Sequence, residues 1–238
     1  MKRAFSFPRR ALWRKRIDRW NIGYPDPELR FLPRLCNAEK NSIDVGASLG
    51  LYTAHLLTCS ASVWAFEPRA SAAAELTRVY AGAPVVVHNL ALSDTDGELE
   101  MTICESDLGR STLERENSIA GVRSTVTTRR LDSLSPSSVG FIKIDVEGYE
   151  EAVLKGSLKT IRQERPNLLI EIEERHKPGA TERIPRMLEE LGYSGWFLLE
   201  DKWRPFNTFN GSIHQRENQV PYINNFVFVP TERRNPIA

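Results

Sequence analysis

Five apolar, β-branched runs alternate with helical stretches along this chain, and that alternation restricts its fold more than any other feature. The runs are NSIDVGA (41–47), SVWAFEP (62–68), PVVVHNLAL (84–92), VGFIKIDVEG (139–148) and PNLLIEIEE (166–174). Between them the spacing predicts helices over Leu49–Cys59, Ala70–Ala81, Glu150–Glu164 and Glu182–Leu191. Near-continuous β-branched strands separated by helices demand a parallel sheet covered on both faces. Two later runs, SGWFLLE (194–200) and NNFVFVP (224–230), have no helix signal between them and predict an antiparallel pair at the sheet's end. GELEMTICE and RSTVTTRRLDSL predict a β-ribbon inserted between the third and fourth main strands, around a polar loop over 105–122. The polar span 201–222 is long enough for a lid or substrate loop.

The net charge of +1 conceals an uneven distribution. Residues 1–20 hold eight Lys or Arg against one Asp, which leaves −6 on the other 218 residues. A slightly acidic body argues against a nucleic-acid partner, which calls for a basic face. Residues 1–40 read as a basic N-terminal extension and connector, and 41–238 as the domain. The basic head could touch an anionic membrane or an acidic partner, or form a solvated helix whose aromatics pack on the body. There is no apolar run of about 18 residues, so no membrane-spanning helix is expected. Cys36, Cys59 and Cys104 are widely spaced with no CxxC pair, which favours reduced thiols in a cytoplasmic setting.

The run IDVGASLGLYT carries Gly46 and Gly50 at the exit of the first strand. Glycines there permit positive φ and close backbone approach to a ligand facing a helix N-terminus. Glu67, about 20 residues on at the end of the second strand, is placed to accept hydrogen bonds from ribose hydroxyls. The third glycine of a dinucleotide loop and the lysine of a phosphate loop are both missing. Asp44 would repel a pyrophosphate but suits a cationic ligand. S-adenosylmethionine has a ribose, a sulfonium and an ammonium and no phosphate, and the cradle favours it.

The chain resembles the FkbM family of S-adenosylmethionine-dependent methyltransferases. The resemblance rests on IDVGASLGLYT, AFEPRASAAAEL, HNLALSDTDGELEM, RRLDSL, FIKIDVEGYEEAVLKG and PNLLIEIEE, in that order. It implies a Rossmann-like class I methyltransferase fold: a seven-stranded, mostly parallel sheet with helices on both faces. It also implies methyl transfer to a hydroxyl of a sugar, glycan or small metabolite. Carried onto this chain, cofactor contacts fall to Asp44, Gly46, Ala47, Gly50 and Tyr52, to Glu67 with Pro68 and Arg69, and to Asn89 through Ala91. Transfer to RNA or protein, or an inactive cofactor-binding module, are the alternatives.

In FIKIDVEGYE, Lys143, Asp145 and Glu147 recur at every second position of a strand that otherwise reads as core. Alternation places all three on one face, and buried charge costs several kcal/mol unless paired or used. Ligands of open α/β sheets bind beyond the carboxyl ends of the strands, where Asp145 and Glu147 fall. Asp145 is expected to organise the cofactor's ammonium and the acceptor. Glu147 is expected to take the acceptor's proton, unless it only stabilises a helix N-terminus. Lys143 is expected to pair across strands with Glu171. His176 could replace Glu147 as base, or join Asp145 and Glu173 around a metal, although no metal is assigned.

Overall fold

The computed structural model describes residues 26–103, 113, 121–216 and 220–233. The basic head, Cys104 and most of the polar loop 105–122 lie outside those residues. The strands are β1 (Asn41–Val45), β2 (Val63–Phe66), β3 (Val85–His88), β4 (Ala91–Leu92), β5 (Gly97–Ile103), β6 (Val122–Arg129), β7 (Val139–Ile144), β8 (Asn167–Glu171), β9 (Tyr193–Leu199), β10 (Lys202–Pro205) and β11 (Asn225–Pro230). Eight of them form one sheet in the order β10-β9-β11-β8-β7-β1-β2-β3. From β3 to β8 every neighbour is parallel, whereas β11 is antiparallel to both β8 and β9. The order doubles back at β1, leaving a crevice at the strands' carboxyl ends.

The expected seven-stranded sheet is there, and an eighth strand extends it. β10 comes from the polar span read as a lid, and it pairs with β9 through a hairpin joining Leu199 to Lys202. Its two turn residues, Glu200 and Asp201, both hold positive φ, at 49° and 63°. Tight hairpins need that geometry, but Asn-Gly or Asp-Gly is the usual signal for it, and Glu-Asp hides it. Beyond β10, Phe206 and Phe209 pack edge-on against Phe226, at 5.2 and 4.9 Å between ring centroids.

The expected ribbon is a separate three-stranded sheet, in which β6 pairs antiparallel with β5 and parallel with β4. The expected helices form with trimmed ends: α1 (Leu51–Leu56), α2 (Ala70–Val79), α3 (Glu150–Lys155), α4 (Leu158–Glu164) and α5 (Ala180–Glu190). The stretch expected as a single helix over 150–164 divides at Gly156. A Cβ there would lie 1.9 Å from the Ser93 carbonyl oxygen, so only glycine lets the two backbones approach.

Strands β7 and β8 are buried on both faces. Ile43, Ile142, Ile144, Leu168 and Ile170 pack with Val153, Leu154, Ile161 and Ile184 of α3, α4 and α5. Phe141, Leu169 and Val227 pack with Tyr52 and Leu56 of α1. Leu29, Leu32 and Leu35 join this second layer, so part of the connector is core. Each such side chain contributes about 1.5–3 kcal/mol on burial. Among the described residues no helix is long and apolar enough to cross a membrane.

Candidate active site

A cavity of about 710 Å³ opens at the carboxyl ends of β1, β2, β7 and β8. Its wall includes Asp44, Gly46, Ala47, Tyr52, Glu67, Pro68, Arg69, Ala91, Asp145 and Glu147, all expected from sequence. Gly50 and Asn89 stand behind it. Gly50 caps α1 at φ 86°, and a Cβ there would meet Leu76 at 2.7 Å. The Asn89 amide donates to the carbonyl oxygens of Glu67 and Pro68, at 3.0 and 2.9 Å, and so shapes the turn carrying the acid. None of the described residues of 201–222 borders the cavity, so that span builds the sheet edge and the aromatic cluster behind it.

Asp44 is 1% exposed, and its Oδ2 accepts from Thr53 Oγ1 at 2.6 Å. Its Oδ1 is buried with no partner. Burial pushes this carboxyl up, while Lys143 and Thr53 pull it back. An acceptor orphaned on a cavity wall costs about 1–3 kcal/mol unless a ligand donor reaches it. That observation fits a ligand ammonium or hydroxyl. Gly46 takes the expected positive φ and has a further reason to be glycine: a Cβ there would sit 1.9 Å from the Asp145 carbonyl oxygen. Its bareness lets β1 and β7 close on each other, at φ 79°.

Lys143 ion-pairs along its own strand with Asp145, in place of the expected cross-strand partner Glu171. In the β7–β8 register Lys143 faces Leu169, which leaves Glu171 two residues too far along. Glu171 instead accepts from Asn224 Nδ2, and its carboxyl is pushed well up by burial and then by the Asp145 charge. Asp145 is also lifted by burial, but the charge of the Lys143 ammonium and the polar groups around the carboxyl together hold it below its ordinary value. The Tyr52 ring covers that ammonium at 4.4 Å, and Tyr52 Oη donates to Asp26 at 2.8 Å.

Glu147 reaches the cavity by a turn and not by strand alternation. It takes φ 55°, followed by Gly148 at 101°. Left-handed backbone at a bulky residue costs of order 1–3 kcal/mol and clusters at functional sites. Glu150, the first residue of α3, holds the turn ahead of it: its Oε1 accepts from Val146 N at 3.1 Å and Gly148 N at 3.0 Å. Glu147 Oε2 lies 3.1 Å from His176 Nε2, which brings together the two candidate bases. Burial, then Asp145 and Glu173, push Glu147 up to about 8. Glu147, Glu171 and His176 also offer one ligand atom each, all within 4.8 Å, a spacing one divalent cation could bridge. Glu173, the other metal candidate, is bound to Arg175 and Tyr222.

Leu90, inside the expected stretch Asn89–Ala91, is also in the wall, whereas sequence reasoning passed over Asp26, Ser48, Leu92, Met101, Leu113, Tyr149 and Glu171 as cavity residues. Asp26 sits in the connector, and Met101 and Leu113 in the ribbon, where no spacing rule points to a ligand. Glu171 had a signal in its period-two charge.

The model of the methyltransferase FkbM domain matches residues 44–194, well over half the chain. The chain belongs to the FkbM methyltransferase family. A crystal structure of methyltransferase FkbM from Methylobacillus flagellatus KT is 17% identical, with a TM-score of 0.55. The likeness covers 81% of this chain and 44% of that one, so this chain spans under half of that protein's length. An rRNA methylase from Streptococcus thermophilus is 13% identical over 88% of this chain and 97% of that one, with a TM-score of 0.49. SMU.1697c, a putative methyltransferase from Streptococcus mutans in complex with SAH, is 12% identical over 87% and 98%, also at 0.49. No curated protein matches the sequence. At 17% identity the first of these structures speaks for the fold alone. The family is one of methyltransferases, and it implies S-adenosylmethionine.

Proposed function

We propose that the cavity binds S-adenosylmethionine and that the enzyme methylates a hydroxyl oxygen of a neutral sugar, glycan or small metabolite. The observation that carries this reading is the unpartnered Asp44 oxygen in the same cavity as Glu147, which is paired with His176 outside the lining. When bound, S-adenosylmethionine supplies an electrophilic methyl on a sulfonium centre. Asp44 Oδ1 is the acceptor for the ammonium, a role expected of Asp145, whose carboxylate Lys143 already occupies. Lys143, itself beneath the Tyr52 ring, pairs with Asp145 and helps to hold that carboxyl below its ordinary value. Glu147 takes the hydroxyl proton at its carboxylate, and His176 Nε2 at 3.1 Å holds that carboxylate in place. A carboxyl pushed up to about 8 is a stronger base than an ordinary carboxylate. Leu90, Leu92, Met101 and Leu113 exclude water from one side.

The acidic wall also bears on the acceptor. Asp26, Asp44, Glu67, Asp145, Glu147 and Glu171 border the cavity against two cations, Lys143 and Arg69. Glu67 and Asp145 are ion-paired with Arg69 and Lys143, and burial pushes Glu147 and Glu171 up. Like charge against a phosphate-bearing acceptor, RNA included, therefore grows as pH rises through the Glu147 value of about 8. Incubation with methyl-labelled S-adenosylmethionine and glycan, lipid, metabolite, RNA and protein fractions of the producing cell tests the reading. Label in a neutral hydroxylated fraction is expected. Label in RNA or protein would replace the acceptor class, and binding without transfer to any fraction would indicate an inactive module.

A second reading has one observation behind it, the convergence of Glu147, Glu171 and His176. A divalent cation held there would acidify the acceptor hydroxyl directly. Turnover that is lost to a chelator and restored by magnesium or manganese would favour it.

A further inference from the structure

Glu67 ends β2 with 2% of its surface exposed, and the protein already fills its carboxylate. Oε1 accepts from Arg69 N at 3.0 Å and Arg69 Nε at 2.8 Å. Oε2 accepts from Ser48 N at 2.8 Å and Arg69 Nη2 at 3.3 Å. A carboxylate has about four acceptor sites, so these four donors leave none for a ribose. Arg69 Nη2 also donates to Ser48 Oγ at 3.1 Å, and the guanidinium is buried at 5% exposure.

The four donors are of two kinds. Ser48 N and Arg69 N belong to the backbone of the β1 turn and to the residue just before α2, and they cannot leave without unfolding those turns. Nε and Nη2 ride on a long side chain beside the cavity. Releasing the guanidinium frees two acceptor sites and leaves the two backbone donors to fix the carboxylate. A ribose presents two hydroxyls.

We propose that Arg69 is a displaceable plug, closing the ribose-binding acid in the ligand-free enzyme and yielding it to the ribose diol of the cofactor. The inference rests on the reading that S-adenosylmethionine occupies the cavity. A ligand that must open a closed site binds with an affinity reduced by the fraction of open sites. Arg69 thereby makes the site select for a vicinal diol, because only two hydroxyls replace the two bonds that are broken.

The test uses S-adenosylhomocysteine and no acceptor. In the full-length protein with labelled arginine, the Arg69 Nε–H resonance is expected to shift on saturation with S-adenosylhomocysteine. Arg69→Met keeps the bulk of the side chain and donates nothing. It is expected to bind S-adenosylhomocysteine about tenfold more tightly than the parent. An unmoved resonance in the saturated parent overturns the plug, and so does equal or weaker binding by a folded Arg69→Met. If that variant does not fold, the resonance decides alone. Failure of the parent to bind S-adenosylhomocysteine at all would instead overturn the cofactor reading on which the plug rests.

Discussion

The chain spells IDVGA at the end of β1 and IDVEG at the end of β7, two neighbouring strands, and the two exits behave differently. At β1 the turn is held by backbone, with Gly46 N and Ala47 N both donating to the Phe66 carbonyl at 3.0 Å. Its aspartate, Asp44, keeps a buried oxygen without a partner. At β7 the turn is held by a side chain, Glu150, and its aspartate is already paired with Lys143. The first exit is therefore built to receive a donor. The second is built to aim Glu147 at His176 and the cavity. Like letters at strand ends divide into binding and chemistry by what satisfies their polar atoms, not by their spelling.

Gly46→Ala attacks the seam between the two exits. Its Cβ would strike the Asp145 carbonyl at 1.9 Å, and we expect a loss of more than about 4 kcal/mol in urea unfolding, with most preparations unfolded. Gly148→Ala, whose Cβ would lie 3.1 Å from the His176 oxygen, should cost roughly half as much.

The next effect belongs to the β7 exit alone. Glu147 is pushed up to about 8 by burial and by Asp145, so its proton-accepting form grows as pH rises through that value. Methyl transfer should rise about tenfold per pH unit below 8 and level off above it, while S-adenosylhomocysteine affinity stays nearly flat. A profile already level at pH 6 would remove Glu147 from the proton-transfer role.

Glu150→Gln sharpens the same exit by stability. Burial raises this carboxyl to about 7, so its contribution is complete below its unfolded value near 4.5 and is lost as pH rises through 7. A glutamine oxygen can accept the same two bonds without ionising. The variant should gain on the order of 2 kcal/mol over the parent at pH 8 and nothing at pH 4, by denaturant titration. The smallest expected effect is that of a chelator, which should leave turnover unchanged if Glu147 and His176 act as a proton-handling pair.

Much of this was legible because alternation and strand-end acids are local signals. The parallel order, the ribbon, the antiparallel end pair and the wall acids Asp44, Glu67, Asp145 and Glu147 follow from them, while Ala47, Tyr52, Pro68, Arg69 and Ala91 came with the family resemblance. What was not legible depended on register and turns. Lys143 was expected opposite Glu171, but a pairing of Lys143 with Leu169 puts its ammonium on Asp145. The β9–β10 hairpin was masked because Glu200 and Asp201 are unusual residues for positive φ. Glu147 was placed on the strand face by counting in twos, although its own positive φ ends the strand before it. Asp26 entered the wall through a connector that its leucines and the hydrogen bond from Tyr52 to Asp26 tie to the core.

The most direct test of the division between the two exits is one paired experiment on Asp44→Asn and Glu147→Gln. Equilibrium binding of S-adenosylhomocysteine and single-turnover methyl transfer, on the acceptor found by label transfer, are read for both. A crossed pattern is predicted. Asp44→Asn should weaken binding by about 10- to 100-fold and, once saturated, retain most of its transfer rate. Glu147→Gln should bind within about threefold of the parent and lose about 100-fold or more in transfer. Full transfer by Glu147→Gln, or loss of binding in both variants together, would contradict it.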